Sequence, residues 1–449
     1  MLALLVALAC GGERSRTIDD LLALRDRSDL SVVLILIDAL RADRLGAYGY
    51  ARATSPTIDA LARSGIRFAN ATSQSSWTSS SMASLWTATY PTRNGIERLG
   101  QRLPEGATLA PEVLAAVGFR AEGLVRNPMA GAWLGLAQGF GGYRRPLQHG
   151  AVPLVRHTIW STPQPGSDRD LTLDAIEAIR ALAPGRYLLY LHYMDVHQYA
   201  HPAAEPGFGS SDSDLYDAAI AWVDRNVADL VHALDESGLR RRTIVVIASD
   251  HGEEFGEHGG KGHGKTLYRE VVHVPLVIAP PFPLEPGVVV EEAVQNVDLW
   301  PTLLDLMGLP PMAGVDGRSL LPSIEAAARR PEAPPRGGPD ALVFSEIDLR
   351  WPHRRRAPQR SLRVQSGEHA LIWRETASQP EIELYDRGSD AAETRDLAAD
   401  DADSVEALRR AASAHLAAPP MPWAKPDAER VPIGPPLREE LRALGYVVE

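Results

Sequence analysis

Residues 245–268, VVIASDHGEEFGEHGGKGHGKTLY, constrain this chain more than any other stretch, because they set two hard metal-ligand types, Asp250 and His251, directly behind an apolar run. That run, Thr243–Ala248, is short and rich in β-branched residues, as expected of a strand buried on both faces of a parallel sheet. Ligands of open α/β sheets collect at the carboxyl ends of such strands. The pair therefore sits where chemistry is expected. His258, Lys261, His263 and Lys265 follow among glycines, which let backbone approach a ligand closely.

A second apolar run, residues 32–37, ends in Asp38. One carboxylate at a strand end reads equally well as the N-cap of a following helix. Two such strands in one chain read as a site. The third element is SWTSSSMASLWTATYPTRNG, residues 76–95, in which hydroxyls precede an apolar stretch, residues 82–88, that can form a helix. Helix N-termini present free N–H groups and the positive end of the macrodipole, which favour an anion. A hydroxyl there suits attack on a phosphate or sulfate. A further strand-like run, residues 187–191, leads into Asp195, Val196 and His197.

Together these segments resemble the sulfatase family of the alkaline-phosphatase superfamily. The matching text runs in family order: IDALRADRLGAYGY from Ile37, HYMDVHQYAHP from His192, DHGEEFGEHG from Asp250, NVDLWPTLLDLMGLPP from Asn296 and VDGRSLLP from Val315. IELYDRGSDAAETRDLAAD from Ile382 and LRALGYV from Leu441 are similar to the family's C-terminal subdomain. The resemblance implies an α/β fold with an alkaline-phosphatase-like, mostly parallel central sheet flanked by helices, and a small C-terminal antiparallel α+β subdomain. It implies that Asp38, Thr78, Asp250 and His251 hold a divalent metal, with Thr78 in the nucleophile position. His197, His263 and Lys265 are the groups expected to grip a tetrahedral anion and to protonate the leaving oxygen.

Sulfatases carry Cys/Ser-x-Pro-x-Arg at the nucleophile, the first residue being converted to formylglycine. Here the aligned residues are Thr78, Ser79, Ser80, Ser81 and Met82, and the sole cysteine is Cys10. The departure points to the threonine-nucleophile branch, which moves phosphoryl groups without formylglycine and takes sulfate, phosphate or phosphonate esters. Manganese, zinc, magnesium and calcium are the candidate metals. A set with one imidazole suits zinc or manganese better than calcium, which prefers six to eight oxygens. Ser80, Met82 and Ala88, where the pattern has proline, a basic residue and glycine, leave open a catalytically weak member that binds an anionic ligand.

With 449 residues and 45% hydrophobic content the chain can bury a large core. A catalytic domain is expected over residues 31–325, a Pro/Gly-rich linker over 326–340, and a C-terminal subdomain and tail over 341–449. Strands are expected near Leu342, Leu362, Leu371 and Ile382, a helix over 404–416, and an extended tail over 418–436. A net charge of −12 excludes a general nucleic-acid surface; the WPHRRR run, residues 351–356, is the one basic cluster. Residues 1–30 read as a leader and linker, since MLALLVALACGG resembles a lipoprotein signal ending at Cys10. That places the protein in the cell envelope or periplasm, lipid-anchored through Cys10, acting on a small-molecule, glycan or lipid-headgroup ester. No run of ~20 apolar residues is present to span a membrane.

Overall fold

Apolar runs become strands where expected, and three sheets form among the residues described by the computed structural model: 16–150, 152–156, 165–205, 207–329, 342–349, 360–376, 379–424 and 432–443. The strands are Ser31–Ile37 (β1), Ile66–Thr72 (β2), Arg120–Val125 (β3), Gly142–Arg144 (β4), Leu154–Arg156 (β5), Tyr187–Tyr193 (β6), Ala200–Pro202 (β7) and Thr243–Ala248 (β8). They continue with Leu276–Ala279 (β9), Val288–Gln295 (β10), Leu342–Asp348 (β11), Arg360–Ser366 (β12), His369–Arg374 (β13) and Glu381–Asp386 (β14).

The main sheet has eight strands in the order β10-β2-β9-β8-β1-β6-β3-β4. β1 lies between β6 and β8, parallel to both, with Val32 opposite Leu188 and Ser31 opposite Thr243. β9 alone runs antiparallel to its neighbours β2 and β8. Every residue of β1, β6 and β8 is buried, because helices cover both faces. Alternation along the strands divides the packing into two cores. Val33, Ile35, Leu189 and Val245 pack against helices Pro56–Arg63, Asp168–Leu182 and Asp212–Glu236. Val32, Leu34, Tyr190 and Val246 face the other way, onto helices Thr78–Thr87 and Leu299–Leu306.

β11 to β14 form a separate antiparallel meander, covered by helix Ala402–Leu416 through Leu408 and Ala412. Its edge is tied to the segment before Thr78: Glu346 N–H donates to the Gln74 carbonyl at 2.8 Å and the Ser345 hydroxyl to the Ser73 carbonyl at 2.6 Å. The mostly parallel sheet and the small antiparallel sheet are the architecture expected.

Two expectations about boundaries are corrected. Leu21, Leu24 and Leu30 are buried in the main core, so residues 16–30 are packed structure and not a linker. Helix Leu321–Arg329 runs through Ala326, where the linker was expected to begin, because Leu321 and Ile324 bury into the same core. Helix Pro435–Ala443 begins where the stretch expected to be extended, 418–436, ends. Cys10 and the basic run 351–356 lie outside the described residues. Among the described residues, no helix is long and apolar enough to cross a membrane.

Candidate active site at the strand ends

Four adjacent parallel strands deliver the polar residues of the site from their carboxyl ends. Asp38 follows β1, Asn127 follows β3, His197 follows β6, and Asp250 with His251 follows β8. Thr78 enters from above as the first residue of helix Thr78–Thr87, and Asp38, Thr78, Asp250 and His251 are all fully buried.

Each carboxylate has one satisfied oxygen and one open one. Asp38 Oδ2 accepts from Asn127 Nδ2 and lies 2.8 Å from His192 Nε2, whereas the buried Oδ1 accepts no hydrogen bond. Asp250 Oδ1 accepts from the N–H groups of His251 (3.1 Å) and Ala39 (3.3 Å), and its buried Oδ2 accepts none. Ala39 reaches Asp250 because its φ is 60°, a conformation costly for a residue with a Cβ. His251 Nδ1 lies 2.9 Å from the Gly252 carbonyl, which fixes the proton on that nitrogen and leaves Nε2 as a lone pair. Nε2 is 3.7 Å from Asp38 Oδ1, 3.5 Å from Asp250 Oδ2 and 3.2 Å from Thr78 Oγ1.

Three oxygen atoms thus lie within 3.7 Å of one imidazole nitrogen, and buried acceptors left without partners are costly unless a cation satisfies them. The residues present fit a divalent metal. The charges agree with this. Burial pushes the Asp38 carboxyl up, but His197, His192 and His251 hold it well below the usual range, and Asp250, desolvated beside Asp38, is pushed up. Two carboxylates crowded together in this way are relieved by a positive ion between them.

The anion-facing groups are placed unevenly. His251 stacks on His263 with ring centroids 4.2 Å apart, and His263 meets His197 at 4.9 Å. Both His197 and His263 are buried, and desolvation lowers them, His197 to about 4 and His263 well below its ordinary value. Desolvation of this kind disfavours the charged imidazolium. His263 Nδ1 is 2.9 Å from Glu253 Oε2, and burial raises that carboxyl to about 7. Lys265 stands beside this group: it bears on His263 by its charge, while its Nζ donates to the Lys261 carbonyl at 2.7 Å. Lys261 pairs with Asp212 at the surface, and His258 is engaged by Glu270 and the Glu393 carbonyl.

Met82, where the family pattern has a cation, is fully buried in the core, its sulfur 3.9 Å from the Tyr190 hydroxyl. Three residues of the site were not anticipated. Asn127 contacts both Asp38 and Thr78 Oγ1 (3.4 Å); its position at the end of a buried strand was the available signal. His192 lies inside β6 with its other nitrogen, Nδ1, 2.6 Å from the Tyr190 hydroxyl. Glu253 stood in plain view, two residues beyond His251.

A family model described as Sulfatase matches residues 31–309, well over half of the chain. The chain belongs to the sulfatase family. A second model, the C-terminal part of N-sulphoglucosamine sulphohydrolase, matches residues 256–416. Human arylsulfatase A is 29% identical over 360 residues, covering 67% of this chain and 69% of that protein. Mouse steryl-sulfatase is 36% identical over 185 residues, 37% of this chain, which spans only 29% of its length. Among solved structures, the phosphonate monoester hydrolase of Agrobacterium radiobacter superposes with a TM-score of 0.68 at 21% identity, covering 86% of this chain and 94% of that one. A 2-O GAG sulfatase superposes equally well, at 0.68 and 20% identity, covering 86% of this chain and 91% of its own. At these identities the likeness is one of fold.

Proposed function

We propose that this sulfatase-family protein is a metal-dependent hydrolase or transferase of sulfate, phosphate or phosphonate esters that uses Thr78 itself as the nucleophile. The observation that carries the reading is the placement of Thr78 Oγ1, 3.2 Å from His251 Nε2, the same nitrogen that lies 3.7 and 3.5 Å from the open oxygens of Asp38 and Asp250. A divalent metal held by Asp38, Thr78, Asp250 and His251 would lower the hydroxyl pKa and neutralise charge on the ester. Zinc or manganese suits the imidazole-containing set better than calcium.

In the proposed reaction Thr78 ionises, its proton passing to solvent, and Oγ1 forms a bond to phosphorus or sulfur as the ester bond to the leaving oxygen breaks. His197 or His263 donates an N–H hydrogen bond to that oxygen, which takes its proton from solvent, and Lys265 adds positive charge from beside the site. A second nucleophile, water or an acceptor alcohol, then displaces Thr78. Asn127 orients Oγ1 and Asp38 together, and the buried placement of Thr78 shields the covalent ester. Since position 78 holds neither cysteine nor serine, formylglycine cannot form there, and in this reading the threonine hydroxyl takes its place.

With Met82 in the core, the site offers few cations against its carboxylates. Singly charged sulfates and diesters should therefore be preferred over phosphate monoester dianions. The test combines three measurements: intact-peptide mass spectrometry of residue 78, turnover of Thr78→Ala and Thr78→Ser, and kcat/KM for matched aryl monoesters, diesters and sulfates. Unmodified threonine, loss of turnover in the alanine variant and partial retention in the serine variant support the reading. An aldehyde at position 78, or a full rate for Thr78→Ala, overturns it. The leader reading of residues 1–30 adds a proposed cell-envelope location with lipidation at Cys10, tested by fatty-acid labelling of a Cys10→Ser variant.

A further inference from the structure

Leu441, the first residue of the LRALGYV motif, is not among the polar residues of the site, yet its helix is packed beside the nucleophile. We propose that helix Pro435–Ala443 is a strut of the active site and that Leu441 is a positioning residue for the Thr78 segment. The proposal rests on Thr78 as nucleophile and names what holds it in place.

Leu441 is fully buried in a hydrophobic cluster distinct from the two cores that flank the sheet. That cluster contains Trp77, Met129 and Met194, with Leu437 packed at its edge. Each of the first three belongs to a different segment of the site. Trp77 precedes Thr78, Met129 lies two residues beyond Asn127, and Met194 opens the turn to His197. The helix packs on the turn Pro128–Ala130, and an ion pair between Arg145 and Glu440 anchors its outer side.

Hydrogen bonds carry the position of Met129 to the reacting atom. Its carbonyl accepts from the Ser79 hydroxyl at 2.7 Å, and its N–H donates to Asn127 Oδ1 at 2.7 Å. Asn127 Nδ2 in turn contacts Thr78 Oγ1 and Asp38 Oδ2. A shift of Met129 therefore moves both neighbours of Thr78 at once. Misplacement of a reacting group by about 1 Å can cost on the order of 100-fold in rate. Because Leu441 contributes to neither sheet core, its loss should be felt at the site before it is felt by the fold.

The test uses the full chain, loaded with Mn(II), as Leu441→Asp and Leu441→Met. Kinetics are measured on whichever aryl sulfate, phosphonate or phosphate diester the wild type turns over, and amide hydrogen exchange is followed by mass spectrometry. For Leu441→Asp, kcat should fall roughly 10- to 100-fold, with exchange accelerated in residues 77–82, 127–131 and 194–198 but not in β1 or β8. Leu441→Met should restore most of the rate, since volume-conserving apolar swaps are tolerated. Faster exchange confined to residues 432–443 with unchanged kinetics would make the helix a passenger and overturn the proposal. If Leu441→Asp does not fold, Leu441→Ala takes its place, and loss of protection throughout β1 and β8 in that variant equally overturns it. A wild type inert toward every ester would count against Thr78 as nucleophile, while the exchange pattern would still decide the strut.

Discussion

Two histidine–carboxylate clusters lie along the loop that follows β8, and they differ in what is left over. Asp38 and Asp250 around His251 keep two buried carboxylate oxygens that no protein group satisfies, beside an imidazole nitrogen met by the Thr78 hydroxyl at 3.2 Å. Glu254, His258 and Glu270 also bring ligand atoms within 4.8 Å of one another, but their atoms are already engaged. His258 Nδ1 is 2.6 Å from Glu270 Oε1, Nε2 is 2.9 Å from the Glu393 carbonyl, and the ring stacks on Tyr268 at 3.7 Å. Facing an acceptor at each nitrogen, His258 must carry both protons. It is an imidazolium clamp joining the catalytic loop to the C-terminal subdomain. Residue type alone does not make a metal centre; unsatisfied lone pairs aimed at one point do.

The largest effect should follow from breaking the first cluster. Asp250→Ala removes one of the two open carboxylates, so metal content measured by elemental analysis should fall to background and turnover with it. Retention of metal at the wild-type stoichiometry would reassign the site. The corresponding change in the second cluster, His258→Ala, should leave metal content untouched.

A smaller loss is expected one step behind the metal ligands. His192 lies against the satisfied oxygen of Asp38, not the open one, and Tyr190 engages its far nitrogen. Partners of this kind orient a ligand, and their removal typically weakens metal affinity about 10- to 100-fold. His192→Ala should show that loss in a chelator competition, whereas the same assay on His258→Ala should show none. Equal affinities for wild type and His192→Ala would reduce His192 to packing.

The second cluster should reveal itself in stability. Removing His258 strips a charged donor from Glu270 and the Glu393 carbonyl, worth about 2 kcal/mol by analogy with other charge-assisted hydrogen bonds. Although burial pulls His258 down, the hydrogen bonds to Glu270 and Glu393 raise it to about 9. A group raised on folding contributes fully below its unfolded pKa, near 6.5, and loses that contribution as pH climbs through its folded one. The Tm difference between wild type and His258→Ala should therefore be widest at about pH 6 and shrink by about pH 10. A gap independent of pH would mean that the ring acts by packing on Tyr268 alone.

The contrast between the clusters also marks where the sequence was legible. β1 and β8 announce themselves by composition, and a carboxylate at the end of each fixes Asp38 and Asp250, since strand burial is a local property of the text. Thr78 is picked out of its cluster of hydroxyls only by the resemblance to the family, since the cluster alone does not say which hydroxyl meets the strand ends. Asn127 and His192 were hidden because their roles depend on which strands become neighbours: β6 comes to border β1, and β3 to border β6, only after the sheet is wound. The same reason obscured His258, whose partner carbonyl lies 135 residues away. Met82 stands where the family pattern has a cation, and its helical phase turns it onto Tyr190.

The smallest effect distinguishes two lysines of one loop. Lys261 is 63% exposed and pairs with Asp212, which is itself 39% exposed, so solvent screens the pair and its contribution should not exceed about 0.5 kcal/mol. Lys265 leans on Lys261 as well, but on its backbone carbonyl, an atom that every side chain at position 261 provides. Lys261→Ala should therefore leave Tm, metal content and kcat/KM within error of wild type. Lys265→Ala, which removes the charge felt by His263, should lower kcat/KM while metal content stays constant. If Lys261→Ala slows turnover as much as Lys265→Ala does, the loop acts through its overall charge, and the position of the Lys265 ammonium beside His263 has no special part in the reaction.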